Sequence, residues 1–120
     1  MSSHVQSFRS ALRGIIHGLK SQRHLRFHAC AAILVVILGF TVGINRIEWD
    51  LTASAIAAVS VAELLNSSVE QIANAVSTEW NETIRNAKDL AAGAVLLAAI
   101  YAVVVGATVF LPRLTALGGT

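Results

Sequence analysis

From Leu90 to Leu111 the chain runs through 22 consecutive residues without a charge. A run of that length fits a helix crossing a hydrocarbon core, which takes ~20 apolar residues. Ala29–Ile44 is also uncharged and approaches spanning length with the flanking Phe27 and His28. Leu51–Ala62 is uncharged but short, and spans only if it continues through Glu63, Leu64, Leu65 and Asn66. Charged residues make up 13% of the chain, against about 25% in an ordinary soluble domain. The reading is an all-α integral membrane protein in one domain over residues 1–120. Its 120 residues leave no room for most large enzyme folds, and a single Cys and a single Pro exclude disulfide-stapled and collagen-like chains.

Ahead of the first apolar run, Arg9, Arg13, Lys20, Arg23 and Arg26 stand without any acid among residues 1–28. Val5, Phe8, Leu12, Ile15, Ile16 and Leu19 recur there at helical spacing, with Arg9, Arg13 and Lys20 largely off that stripe. This predicts an amphipathic helix over 5–24 lying in the membrane surface. The first apolar run begins too late for a secretory leader, so no cleaved signal is expected. Three transmembrane helices are predicted at about 27–45, 49–70 and 89–111, with Pro112 ending the last. The connections are then 45–50 and roughly 71–89. Seven Lys and Arg fall on the N-terminal segment and the second connection, and Arg46 and Arg113 on the other side. Positive-inside reasoning makes this a multi-pass protein with a cytoplasmic N-terminus and the C-terminus outside, and puts Trp49 at the outer interface.

The acids are few, and their placement carries the chemistry. Glu63, Asn66, Glu70 and Asn74 stay within a stripe about 80° wide on a helix. A carboxylate at mid-bilayer costs at least ~2.5–3.5 kcal/mol on insertion scales, so such groups face a bundle interior, bind a ligand or mark a pathway. Two carboxylates with an amide between them can hold Mg²⁺ or take a proton from a hydroxyl. The plainer reading is that Glu70 is a solvated residue at the cytoplasmic mouth and that Glu63 pairs with a Lys or Arg of the N-terminal helix. Lys88 and Asp89 stand directly before the third span and offer a cation and an anion beside a polyphosphate, or a snorkelling Lys and no more. There is no GxxxxGK[ST], so a nucleotide would not sit in a P-loop.

Smaller signals have plain explanations. Gly14 with Gly18, and Gly39 with Gly43, form GxxxG pairs that permit close helix contact, a frequent pattern in membrane chains. His24 and His28 have metal-ligand spacing without a third ligand to complete a zinc set. Cys30 reads as an inert packing residue.

The stretch Glu63-Leu-Leu-Asn66-Ser-Ser-Val-Glu70, followed by Ala87-Lys88-Asp89-Leu-Ala-Ala-Gly93-Ala94-Val95-Leu96, resembles the bacterial integral-membrane diacylglycerol kinase and undecaprenol kinase family. Phe8-Arg-Ser-Ala11-Leu-Arg-Gly14 and Arg23-His-Leu-Arg26-Phe-His28 look like the family's N-terminal helix and the start of its first span. The resemblance covers about residues 7–113. It implies a homotrimer of three-span subunits in the bacterial inner or plasma membrane. The implied reaction carries the γ-phosphoryl group of ATP to a lipid hydroxyl with Mg²⁺, and no nucleic-acid partner is expected. By position, Glu63 resembles the general base and Asn66 its support or that of the phosphates. Glu70 resembles a metal ligand that also meets the nucleotide. Lys88, Asp89 and Arg9 fall at nucleotide-binding positions.

Two departures bear on this. Gln22 stands where many members carry a second metal-binding Glu, and it offers a carbonyl oxygen without charge; it is kept as a metal- and nucleotide-binding position. Asn74 stands where Asp is usual, and His24 where Asn is usual. The alternatives are a catalytically impaired relative or non-enzymatic membrane interaction protein, favoured by Gln22 and Asn74, and a proton-coupled transporter, which leaves Lys88 and Asp89 unexplained. Among acceptors, undecaprenol is favoured over diacylglycerol.

Overall fold

The computed structural model describes residues 3–118, which form four helices: α1 (Ser3–Ser21), α2 (Arg23–Val42), α3 (Arg46–Val76) and α4 (Glu82–Gly118). α2, α3 and α4 are each long and apolar enough to cross a membrane. α1 is the amphipathic helix, and its stripe of Phe8, Leu12, Ile15 and Ile16 is left uncovered by the rest of the chain. A surface helix needs that arrangement, because its apolar side belongs to the acyl boundary and not to the protein core.

One residue separates α1 from α2. Gln22 is extended, and its N–H still reaches Gly18 O at 2.8 Å. Arg26 turns back across the joint and donates from Nη1 to Leu19 O at 3.0 Å and Lys20 O at 2.8 Å. A helix C-terminus has unpaired carbonyls with partial negative charge, and a guanidinium there satisfies both needs. Arg26, counted above only toward orientation, therefore fixes the corner between surface helix and span.

At the far end, α2 closes on Gly43 in the left-handed region at φ 70°, with Gly43 N and Ile44 N both donating to Gly39 O. A residue with a Cβ would be strained there. Asn45 then starts α3 with a reciprocal capping box. Its Oδ1 accepts from Glu48 N, and its own N–H donates to Glu48 Oε1, each at 2.9 Å. Glu48 also accepts from the Arg113 guanidinium, with Nε at 3.1 and 3.2 Å from its two oxygens and Nη2 on Oε1. One carboxylate thus joins the α2–α3 turn to the end of α4. Above it lies the core of Ile44, Ala55, Val105, Val109 and Phe110, flanked by Trp49 and Leu51. Trp49, expected at the outer interface, stacks at a tilt on Phe40 with ring centroids 4.7 Å apart.

Two sequence expectations need correction. Pro112 does not end the last helix, which continues to Gly118. The proline removes one backbone donor, and Thr108 and Thr115 hydroxyls bond carbonyls on either side of it, to Val104 O at 2.8 Å and Leu111 O at 2.9 Å. The carbonyl that loses its donor is that of Thr108, which neither hydroxyl reaches; the helix nevertheless continues, and the turn beyond the proline is held by Arg113 on Glu48. The broad connection expected over 71–89 is likewise only 77–81, because α3 and α4 run on as helices past the apolar segments. Ser77 accepts from Glu79 N at 3.0 Å, and Asn81 Oδ1 caps α4 by accepting from Ile84 N at 3.1 Å. At 1.5 Å per residue, 31 and 37 residues make helices about 46 and 55 Å long. Both exceed a hydrocarbon core of ~30 Å, so polar turns stand clear of it.

Arg113→Met should lower the melting temperature in detergent. Arg113→Lys should fall between Met and wild type, and adding Glu48→Gln to Arg113→Met should cost little more. Independent, additive losses would show that the two side chains do not act as a pair.

Candidate active site

α3 carries the stripe of polar residues, and the structure shows how deep each one lies. If hydrocarbon begins near Leu51, Glu63 is twelve residues further along, about 18 Å into a core of ~30 Å. It is one of two polar or charged residues classed as buried among those described, at 6% exposure. Asn66 and Glu70 are half-buried and Asn74 is exposed. Glu63 and Glu70 flank the inward seam of Ala55, Ala62 and Ala73. Alanines let the neighbouring backbones approach closely, which removes water from around the deepest carboxylate.

Glu63 has a partner the sequence reading did not give it. His28 Nε2 lies 2.9 Å from Glu63 Oε1. The expected partner was a Lys or Arg of the N-terminal helix; the residue found is instead a His in the second turn of α2. Phe27 presents its ring edge-on to the imidazole, with centroids 5.4 Å apart and planes at 85°. Below His28 a cavity of about 170 Å³ opens between α2, α3 and α4, walled mainly by Ala31, Val35, Ala55, Ile56 and Val105. His28 is the sole titratable residue on its wall. Thr52 also lines it, buried and with its hydroxyl unpartnered. The pairing could have been suspected from the cost of an unpaired carboxylate in hydrocarbon, since His28 is the ionisable residue at the mouth of the first apolar run.

The other predicted positions lie around this pair without closing on it. Gln22 is half-buried on a groove between α1 and α3 that also takes in Gly18, Leu64, Ser67, Ser68 and Gln71. The floor of that groove is tight: a Cβ on Gly18 would come within 2.8 Å of Leu25 Cδ1 and 3.3 Å of Leu64 Cδ2, whereas Gly14 has open space. Only one glycine of that GxxxG pair is a contact residue. Arg9 is exposed on α1. Lys88 is half-buried on α4, and Asp89 is exposed one turn from Arg85, with Arg85 Nε 3.5 Å from Oδ1. Asp89 shares its face of α4 with Gly93, Leu96 and Leu97, and the two leucines are left exposed among the described residues. Cys30, expected to be a packing residue, is exposed on α2. Among the described residues no three His, Cys, Asp or Glu gather as a ligand set for a metal ion.

Arranged this way, one chain presents a buried carboxylate within the span, an amide and a second carboxylate further along the same helix, and a Lys and an Asp on the next helix. The family profile of prokaryotic diacylglycerol kinase matches residues 9–110. This chain belongs to that family. It is 37% identical to an undecaprenol kinase of Bacillus subtilis over 91% of its own length and 89% of the relative's. It is also 37% identical to a diacylglycerol kinase of Synechocystis, over 92% of this chain and 64% of that longer protein. A diacylglycerol kinase of Haemophilus influenzae is 31% identical over 88% and 91%. Membership makes the chain a membrane-bound lipid kinase and accounts for the hydrophobic setting of its acids.

The groove beside Gln22 depends on how closely α1 approaches. Gly18→Val should destabilise the fold by about 1–3 kcal/mol, the usual range for overpacking, seen as an earlier thermal transition in detergent. Gly14→Val should leave that transition in place. Equal shifts from both would contradict the close approach at Gly18.

Proposed function

We propose that the protein transfers the γ-phosphoryl group of ATP to the hydroxyl of a membrane lipid, with undecaprenol preferred to diacylglycerol. The observation that carries this reading is the buried Glu63 carboxylate, set at membrane depth beside His28. A lipid alcohol keeps its tail in hydrocarbon and offers its hydroxyl near the level where Glu63 sits. Glu63 takes the hydroxyl proton as the lipid oxygen bonds the γ-phosphorus. The bond from that phosphorus to the bridging oxygen breaks, and ADP leaves with the electron pair. Phosphoryl transfer asks chiefly for alignment and charge neutralisation, which a small helical bundle can supply.

The remaining roles follow from position. Asn66, one turn beyond Glu63, supports the base or the phosphates. Lys88 offsets phosphate charge, Asp89 meets the sugar or base side of the nucleotide, and Arg9 reaches phosphates from the surface helix. Glu70 is the one carboxylate assigned to the metal, with Gln22 adding a neutral carbonyl oxygen, a donor set suited to Mg²⁺ that arrives with the nucleotide. Held by Glu70 and Gln22, Mg²⁺ would supply neutralisation of phosphate charge. The uncovered face of α4 around Asp89 supports a homotrimer in which a neighbouring copy completes the nucleotide site. The excess of Lys and Arg on α1 and around 85–88 supports a bacterial plasma-membrane protein with a cytoplasmic N-terminus and the C-terminus outside. Undecaprenol is preferred because, of the three relatives named above, the Bacillus undecaprenol kinase alone combines 37% identity with a match over about nine-tenths of both proteins. A catalytically impaired relative is the second reading, favoured by uncharged Gln22 and Asn74.

Purified protein given MgATP and one lipid alcohol at a time should release ADP and form lipid phosphate, faster with undecaprenol than with diacylglycerol. The reverse order would overturn the acceptor preference, and no product from either would favour the impaired relative. Glu70→Ala should raise the Mg²⁺ needed for half-maximal rate by about 10-fold or more, the scale on which altered metal surroundings weaken a site. An unchanged Mg²⁺ requirement would remove Glu70 from the metal.

A further inference from the structure

We infer that His28 is a positioning residue for Glu63: the imidazole holds one carboxylate oxygen so that the other faces the incoming lipid hydroxyl. This rests on the lipid kinase reading and adds a residue to it.

Three observations carry the inference. Nε2 stands 2.9 Å from Oε1, and among the described residues Glu63 has no other side-chain partner. A carboxylate in a dry, apolar setting is therefore oriented by this one contact, and removing a buried partner leaves it badly placed as well as badly solvated. The half-buried imidazole meets the Phe27 ring edge-on and Glu63 through Nε2, two contacts that bias its orientation. The third observation is its place in the fold. His28 both lines the apolar cavity between α2, α3 and α4 and contacts Glu63, so the imidazole links that cavity to the carboxylate a lipid hydroxyl has to reach. Other charged side chains near the start of α2 are directed elsewhere: Arg26 is bonded to α1 carbonyls, and Arg23 and His24 are exposed.

The chemistry leaves His28 chemically unchanged. The lipid hydroxyl proton passes to the free oxygen of Glu63 while the oxygen–phosphorus bond forms and the bond to ADP breaks; His28 keeps the other oxygen in place throughout. General-base catalysis needs the base within hydrogen-bond reach of the proton it takes. Misplacement by about 1 Å costs on the order of 100-fold in rate.

Two substitutions separate position from structure. His28→Phe keeps a planar ring against Phe27 but removes the polar contact. His28→Gln keeps a polar group able to reach Glu63 and removes the ring. With undecaprenol and MgATP, His28→Phe should lower kcat by about 100-fold at an unchanged KM for MgATP, and His28→Gln should recover a large part of that loss. His28→Gln should elute and melt as the wild type does, and His28→Phe, which leaves Glu63 without its partner, should elute as the wild type but melt earlier. Wild-type kcat in His28→Phe, or a His28→Gln variant as slow as His28→Phe, would overturn the role while leaving the kinase reading intact. A raised KM for MgATP with kcat unchanged would overturn it in favour of nucleotide binding. If His28→Phe does not fold, the His28→Gln rate decides: wild-type-like kcat supports the role, and a loss of about 100-fold overturns it. The contact has a readout that needs no turnover. In ¹⁵N-labelled protein the His28 ring signals should move in Glu63→Gln, and unmoved signals would contradict the pairing. A wild-type protein that phosphorylates no lipid would overturn the kinase reading and the His28 role together.

Discussion

A carboxylate within hydrocarbon has to be paired, and much of this fold is arranged around that requirement. Glu63 lies about 18 Å along α3 from the start of its apolar segment, on the seam where alanines bring neighbouring helices close. Little water reaches it there, and an unpaired charge would favour loss of the helix from the membrane. His28 answers the need from α2, at a distance of 2.9 Å. The position of α2 against α3 is thereby tied to the position of the acid proposed as the base.

The opposite end of the bundle solves a similar problem in a wetter setting. Glu48 caps α3 through Asn45 and receives Arg113 from α4, so a single acid closes a helix terminus and joins the two longest helices. Between these two carboxylates the packing is apolar and small-residue rich, with Ser54 and Tyr101 bridging α3 and α4 at 2.8 Å. The extra length of α3 and α4 carries Glu70, Lys88 and Asp89 beyond or to the ends of the apolar segments. Arg26, by bonding carbonyls in the last turn of α1, fixes the corner between α1 and α2.

Much of this was legible in the sequence because it follows from the energetics of transfer out of water. Uncharged runs marked the spans, segregated Arg and apolar residues marked α1, and Glu63 stood out as a charge where none is tolerated cheaply. Features decided by tertiary neighbours were harder to see. Pro112 reads as a stop when only the backbone is considered, yet the helix continues through it, its following turn tied to α3 by Arg113 on Glu48. Helices α3 and α4 extend past their apolar segments at both ends, since hydropathy reports where the membrane stops and not where a helix does. His28 escaped notice as a partner because it was weighed against His24, four residues away on the same helix, while its real partner lies 35 positions along the chain. The site positions on α4 were legible only as a motif, and the structure leaves Asp89 beside Arg85 on a face that one chain does not cover.

The most direct test of the account is the rate of phosphoryl transfer from MgATP to a lipid alcohol by Glu63→Gln, measured beside wild type on protein that elutes and melts identically. Gln preserves the shape and the polar contact to His28 but cannot take the hydroxyl proton. The account predicts near-complete loss of turnover with nucleotide binding retained. Turnover close to wild type would contradict the assignment of the buried carboxylate as the base.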